Sequence, residues 1–73
     1  MSILEVLELI KSGESDTVEF KRKLTSDIGK DIVAFANTEG GVILVGVDDE
    51  GNIIGVKEDI LQKLSDILLN ITP

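Results

Sequence analysis

Glu14, Glu19, Lys21, Asp48 and Asp49 are the residues whose types and order suit chemistry on a phosphodiester. Carboxylate oxygens hold Mg²⁺ or Mn²⁺, and the metal activates water and neutralises the scissile phosphate. A lysine beside such carboxylates orients the water or stabilises the developing anion. In the order Glu14…Glu19-Phe20-Lys21…Asp48-Asp49, Glu19 and Lys21 fall on one face of a strand-like segment, and the two aspartates close a later apolar run. A plainer reading makes Glu19 and Lys21 solvated strand residues and Asp48-Asp49 turn formers. Spacing alone favours the plainer one, because 14 of the 73 residues are acidic.

Lys21-Arg22-Lys23 is the second constellation, three of the seven bases in succession. Such a cluster, with Lys30 as a further candidate, contacts two or three phosphates and makes binding steeply salt-dependent. The alternative is a charged edge strand that resists sheet-to-sheet pairing. The third is Ala34-Phe35-Ala36-Asn37-Thr38-Glu39-Gly40-Gly41. Backbone amides at a Gly-Gly turn accept an anion, but no Gly-Lys-Ser/Thr follows, so this is not a Walker loop. Small residues that let a helix lie close on a sheet, an Asn at the helix end and a tight entry to a strand explain it more simply.

The elements that must position these residues follow from pattern and punctuation. Ser2-Ile3-Leu4-Glu5 is a capping-box sequence, and Ile3, Val6, Leu7 and Ile10 recur at helical spacing up to Lys11 and Gly13. This predicts a helix over residues 3–11. Thr17 to Leu24 alternates, with Val18, Phe20 and Arg22 on one face and Glu19, Lys21 and Lys23 on the other, and predicts a strand. A second helix, capped by Thr25 or Ser26, carries Ile28, Ile32, Phe35 and Ala36 as its buried stripe and stops near Asn37. Val42 to Val47 lacks polar alternation and predicts a central strand covered on both faces. Asp48 to Asn52 is a hairpin loop, and Ile53 to Val56 returns as a third strand. Asp59 caps a third helix with Ile60, Leu61, Leu64, Ile67 and Leu68 on one stripe, extended by Ile71. The order is α-β-α-β-β-α, an α+β sandwich. A full apolar stripe on the third helix and an abrupt end at Pro73 suggest a fragment of a longer domain, or a homodimer that completes the sheet.

Composition narrows the function classes. With no Cys and no His, disulfides, Cys/His zinc sites and catalysis by those side chains are excluded. Two aromatics, Phe20 and Phe35, cannot form a stacking platform for unpaired bases. The longest apolar run is too short for a membrane span, and no basic region opens the chain as in a signal peptide, so the expected location is cytoplasmic. Hydrophobic residues make up 42%, enough for a core in one small domain. The net charge of −7 favours cations and basic partners and opposes nucleic acid over the molecule as a whole. Lys21-Arg22-Lys23 survives as a local basic spot on that acidic body.

Three blocks together resemble a known family. Glu14-Ser15-Asp16-Thr17-Val18-Glu19-Phe20-Lys21, then Ala34 to Gly41 as above, then Val45-Gly46-Val47-Asp48-Asp49-Glu50-Gly51-Asn52-Ile53-Ile54-Gly55-Val56 are similar to the Schlafen-type AlbA-like domain, in its order and over roughly residues 13–60. The resemblance implies an α/β fold related to the Alba chromatin proteins. It also implies a place as the N-terminal module of transcriptional regulators, joined to C-terminal domains, with the family's last strands missing here. In Schlafen nucleases two glutamates and an aspartate form a metal-dependent RNA-cleaving site. Glu14 and Glu19 match the glutamates, and Asp48, with Asp49 as alternate, is nearest the aspartate. Those nucleases pair two such domains round a basic groove.

Three functions are therefore expected, in this order. The first is a DNA- or RNA-binding module of a regulator, with Lys21, Arg22, Lys23 and Lys30 on phosphate and no cofactor. The second is a Mg²⁺- or Mn²⁺-dependent nuclease using Glu14, Glu19 and Asp48 or Asp49. The third is a dimerisation module without ligand chemistry.

Overall fold

The computed structural model describes residues 1–56 and 59–69. Its elements run α1 (Ile3–Ser12), β1 (Val18–Lys21), α2 (Ile28–Ala36), β2 (Val42–Val45) and α3 (Ile60–Leu69). This is a mixed α and β chain, and its described residues form a two-stranded sheet rather than the expected three strands. Ile71 and Pro73 lie outside the described residues.

Helix α1 starts as its sequence dictates. The Ser2 hydroxyl accepts from the Glu5 amide at 3.2 Å, and the Glu5 carboxylate accepts from the Ser2 amide at 3.3 Å, so two of the orphan amides at the helix start are satisfied locally. Gly13, at φ +84°, ends it with its amide on Leu9 and Ile10 carbonyls. The expected stripe of Ile3, Leu7 and Ile10 is only partly used. Leu9 and Ile10 pack on the sheet, whereas Ile3 and Leu4 remain exposed, at 69% and 68%, and Leu7 is largely so.

β1 and β2 pair in parallel, in the register Val18 with Val42, Glu19 with Ile43, Phe20 with Leu44 and Lys21 with Val45. Parallel neighbours require a crossover, and α2 supplies it. Alternation then divides the sheet into two faces. Val18 and Phe20, with Val47, form one core with Leu44 and α1's Leu9 and Ile10. Ile43 and Val45 of β2 join the other core, built on Leu24, Ile28 and Ile67 with Ile32, Ile60 and Leu64. The reading of β2 as a strand covered on both faces therefore holds. On the second face β1 contributes Glu19 and Lys21.

The ends of the strands differ from expectation for local reasons. Lys21 is the last residue of β1, and Arg22 and Lys23 turn out of the ladder before Leu24 enters the second core. The Lys21 carbonyl takes both the Gly46 and Val47 amides, at 2.7 and 3.2 Å. Gly46 sits at φ +92°, so β2 stops at Val45. The third strand does not form. Val47 and Ile53 make a single antiparallel bridge, after which the Ile54 and Gly55 amides both bond back to the Gly46 carbonyl. Gly55, at φ +76°, then breaks the extended run.

At α2 the N-cap is Asp27, not Thr25 or Ser26, and its carboxylate makes no capping bond to its own helix. Ile28 and Gly29 are buried, Ile32 packs beside them, and Ala36 is exposed. The helix ends at Asn37 as its sequence suggests. Of the two following glycines only Gly40 needs a positive φ, at +96°. Gly41 is fixed by space, since a Cβ there would lie 2.8 Å from the Phe35 ring. For α3 the Asp59 carboxylate accepts from the Gln62 amide at 3.2 Å, the expected cap. Ile60, Leu64 and Ile67 face the core, while Leu61 and Leu68, expected on the same stripe, are exposed. Among the described residues no helix is long and apolar enough to cross a membrane.

Candidate functional site

The second face of β1 carries charge instead of core. Glu19 and Lys21 stand two residues apart on it, opposite Ile43 and Val45, and the start of α2 lies close enough to meet them. The Lys21 ammonium is 3.2 Å from Asp31 Oδ2, 3.5 Å from Asp27 Oδ2 and 3.7 Å from Glu19 Oε1. Its side chain is only 22% exposed. Asp27 also accepts a hydrogen bond from the Thr25 hydroxyl. Its carboxylate is thus committed to Thr25 and Lys21, which explains why it leaves its own helix uncapped. Asp31 Oδ2 is buried and makes the shortest of the three contacts with the ammonium.

The electrostatics follow from that packing. Lys21 is raised above its ordinary 10.5, foremost by the Asp31 carboxylate, against an opposing desolvation, with Glu19 and Asp27 adding to it. Glu19 is raised above its ordinary 4.5, first by desolvation and next by the charge of Asp31, with Lys21 opposing and Glu14 adding a little. Sequence reading assigned neither Asp27 nor Asp31 to this face. The signal was present: the two aspartates are four apart, on one side of α2, beside the buried Ile28 and the packed Ile32.

Glu14 does a different job from the one expected of a metal ligand. Its Oε2 accepts from the Phe20 amide at 3.2 Å. One residue along, Ser15 and Val18 exchange backbone hydrogen bonds at 2.9 and 3.4 Å. Together these close the amides that β1 does not offer to β2. Asp48 belongs to a loop. Its Oδ1 accepts from the Glu50 and Asn52 amides, both at 2.9 Å, and its Oδ2 from the Asn52 side-chain amide at 3.1 Å. These bonds, that of the Asn52 amide first, hold its carboxyl below its ordinary 3.8, and the charge of Arg22 adds to the effect. This is the turn-forming role of the plainer sequence reading. Asp49 is exposed beside it.

The resemblance implied a divalent metal on Glu14, Glu19 and Asp48. The side chains present do not fit it: Glu14 is on a strand amide, Asp48 already accepts three hydrogen bonds from its own loop, the alternate Asp49 is exposed on that loop, and Glu19 faces an ammonium. Among the described residues no group of three or more Asp and Glu is arranged to hold a metal ion. The Gly40 amide is likewise taken, by the Phe35 carbonyl at 3.1 Å, so the Gly-Gly turn has one donor fewer for an anion.

The basic candidates divide. Lys21 is turned inward to carboxylates, while Arg22 and Lys23, just beyond β1, and Lys30, in the first turn of α2, are exposed. Among the described residues no carboxylate lies within ion-pair distance of these three. Asp48 is near enough to Arg22 for their charges to interact.

The family model described as Schlafen, AlbA_2 matches residues 14–73. No solved structure matches the chain. The match begins at Glu14, just after α1 and its Gly13 cap, and takes in the charged face of β1, the Gly-Gly turn and the Asp48 loop.

Proposed function

The chain belongs to the Schlafen AlbA_2 family, a nucleic-acid-related one, and on that premise we propose that it is the nucleic-acid-binding module of a transcriptional regulator, holding the phosphate backbone with Arg22, Lys23 and Lys30. The observation that carries this reading is the split within the basic run. Lys21 is spent on three carboxylates, and its two neighbours leave the strand exposed, with no carboxylate at ion-pair distance among the described residues. Long exposed cations on a turn suit phosphate contact, which is an electrostatic, sequence-independent interaction. With two aromatics in the chain, both drawn into packing, bases find no stacking surface. The body charge of −7 keeps affinity low and strongly dependent on ionic strength.

Fluorescence anisotropy of labelled single- and double-stranded oligonucleotides tests this directly. Three phosphate contacts give a slope of log K against log salt of about −2 to −3. Absence of binding at low salt defeats the reading.

A second reading, an interaction module that dimerises, is favoured by the exposure of Ile3 and Leu4 on α1 and of Leu61 and Leu69 on α3. These residues lie on helices that pack against opposite faces of the sheet, so each exposed pair would be a separate contact surface. Sedimentation over a wide concentration range separates the two, because a strictly monomeric chain removes this support.

A further inference from the structure

We infer that the Lys21 ammonium is the resident cation of the Glu19, Asp27 and Asp31 carboxylates, and that a divalent metal has no seat on Glu14, Glu19 and Asp48 in this chain. The first ground is geometric. Three carboxylates from two elements surround one ammonium at 3.2 to 3.7 Å, within a partly buried seam between β1 and α2. Mg²⁺ and Mn²⁺ need several oxygens close in, with the remaining positions filled by water. A divalent cation brought up to Glu19 would sit within a few ångströms of the Lys21 ammonium, which lies 3.7 Å from that carboxylate, and the like charges repel.

The second ground is what the other two carboxylates are already doing. Glu14 closes a strand amide on Phe20. Asp48 accepts three hydrogen bonds that shape the turn from Asp48 to Asn52. Moving either towards a metal would leave those amides without their present acceptor, and an unmet donor in the part-buried strand is costly. The third ground is the helix start: Asp27 gives up capping α2 in order to hold Thr25 and Lys21. The ammonium thereby ties the first turn of α2 to β1. Phosphate binding through Arg22, Lys23 and Lys30 does not depend on this inference.

The test uses Mn²⁺ alone, without nucleic acid, so its outcome is separate from that of the binding reading. The isotope-labelled chain is titrated with Mn²⁺ while its amide resonances are followed, and melting is recorded with and without the ion. We expect no selective broadening at Glu14, Glu19 or Asp48 and an unchanged melting temperature. Lys21→Gln leaves three carboxylates without their cation. It should melt lower than the parent chain, bind Mn²⁺ at least about tenfold more tightly, and be raised in melting temperature by the ion. Lys21→Arg keeps the charge and should stay indifferent to Mn²⁺. Saturable broadening centred on Glu14, Glu19 and Asp48 of the parent chain, lost in Glu19→Gln, overturns the inference. So does a Lys21→Gln chain that folds and ignores Mn²⁺. If that variant does not fold, the parent titration and Lys21→Arg still decide.

Discussion

Replacing Lys21 by Met keeps the aliphatic stem and removes the charge, so the loss it causes measures the ion-pair hub and little else. The magnitude follows from exposure. Ion pairs at the surface contribute about 0–1 kcal/mol, whereas removing one partner of a buried pair costs about 3–5 kcal/mol. Lys21, Asp31 and Glu19 have side chains 22%, 26% and 29% exposed, which puts them between those limits. A loss of about 2 kcal/mol is expected, much of it from Asp31 Oδ2, buried and left facing no cation. In a domain of this size that lowers the melting temperature by about 8–16 °C. Circular dichroism melts of the parent chain, Lys21→Met, Asp31→Asn and the double variant give both the loss and the coupling. The double variant should be less destabilised than the two singles summed, by about 1 kcal/mol. Lys21→Met melting within about 2 °C of the parent, on the same size scaling, would refute the hub. The pH dependence has a definite sign. Lys21 is raised above its ordinary 10.5, so its contribution is fully present below 10.5 and is lost as pH climbs through the higher folded value. Lys21→Met should show no such alkaline loss.

The remaining expectations can be checked on the same chain. Glu14→Ala should cost about 1 kcal/mol in urea unfolding because the Phe20 amide loses its acceptor, and Glu14→Gln less than half of that, since an amide oxygen still accepts; equal losses would show that the hydrogen bond to Phe20 is not what Glu14 contributes. Glu19 is raised above its ordinary 4.5, so the folded state binds its proton more tightly than the unfolded one. Its ionisation costs stability as pH rises from 4.5 through the folded value, and Glu19→Gln should flatten the pH–stability curve in that window; an unchanged curve would contradict the burial of Glu19 beside the Asp31 charge. Gly46→Ala combines a φ of +92° with a Cβ 3.0 Å from the Gly55 backbone and should cost about 1–3 kcal/mol. Gly40→Ala, also at positive φ (+96°) but with nothing within 4 Å, should cost less in the same urea unfolding, and the reverse ranking would count against the close approach of Gly46 and Gly55.

Where a local signal and the tertiary environment agree, sequence reading succeeded. The capping box of Ser2 and Glu5 is self-contained, so α1 begins where its residues say. The apolar run of β2 has a use on both faces, and the turn chemistry of Asp48 is satisfied within five residues. Failures came where one residue's meaning depends on distant partners. Lys21 reads as a basic residue among three, and nothing in its neighbours says that α2 will bring Asp27 and Asp31 to it. Alternation carried β1 on through Arg22 and Lys23, but the strand ends where the Lys21 carbonyl turns to Gly46 and Val47. Ile53 to Val56 has strand composition, yet two amides that converge on one Gly46 carbonyl and a left-handed Gly55 prevent a ladder. The stripes of α1 and α3 showed which residues are apolar, not how wide a surface the sheet could cover. Two strands leave Ile3, Leu4 and Leu61 outside.

The most direct test of nucleic-acid binding by exposed cations beside an engaged Lys21 is one anisotropy titration. It uses a labelled oligonucleotide at low salt with EDTA present, and compares the parent chain, Arg22→Ala with Lys23→Ala, and Lys21→Arg. Binding by the parent chain, loss of at least about tenfold in affinity for the Arg22 and Lys23 variant, and parent-like binding by Lys21→Arg are the predicted results. No binding by the parent chain, or unchanged binding after both Arg22 and Lys23 are removed, would contradict the account.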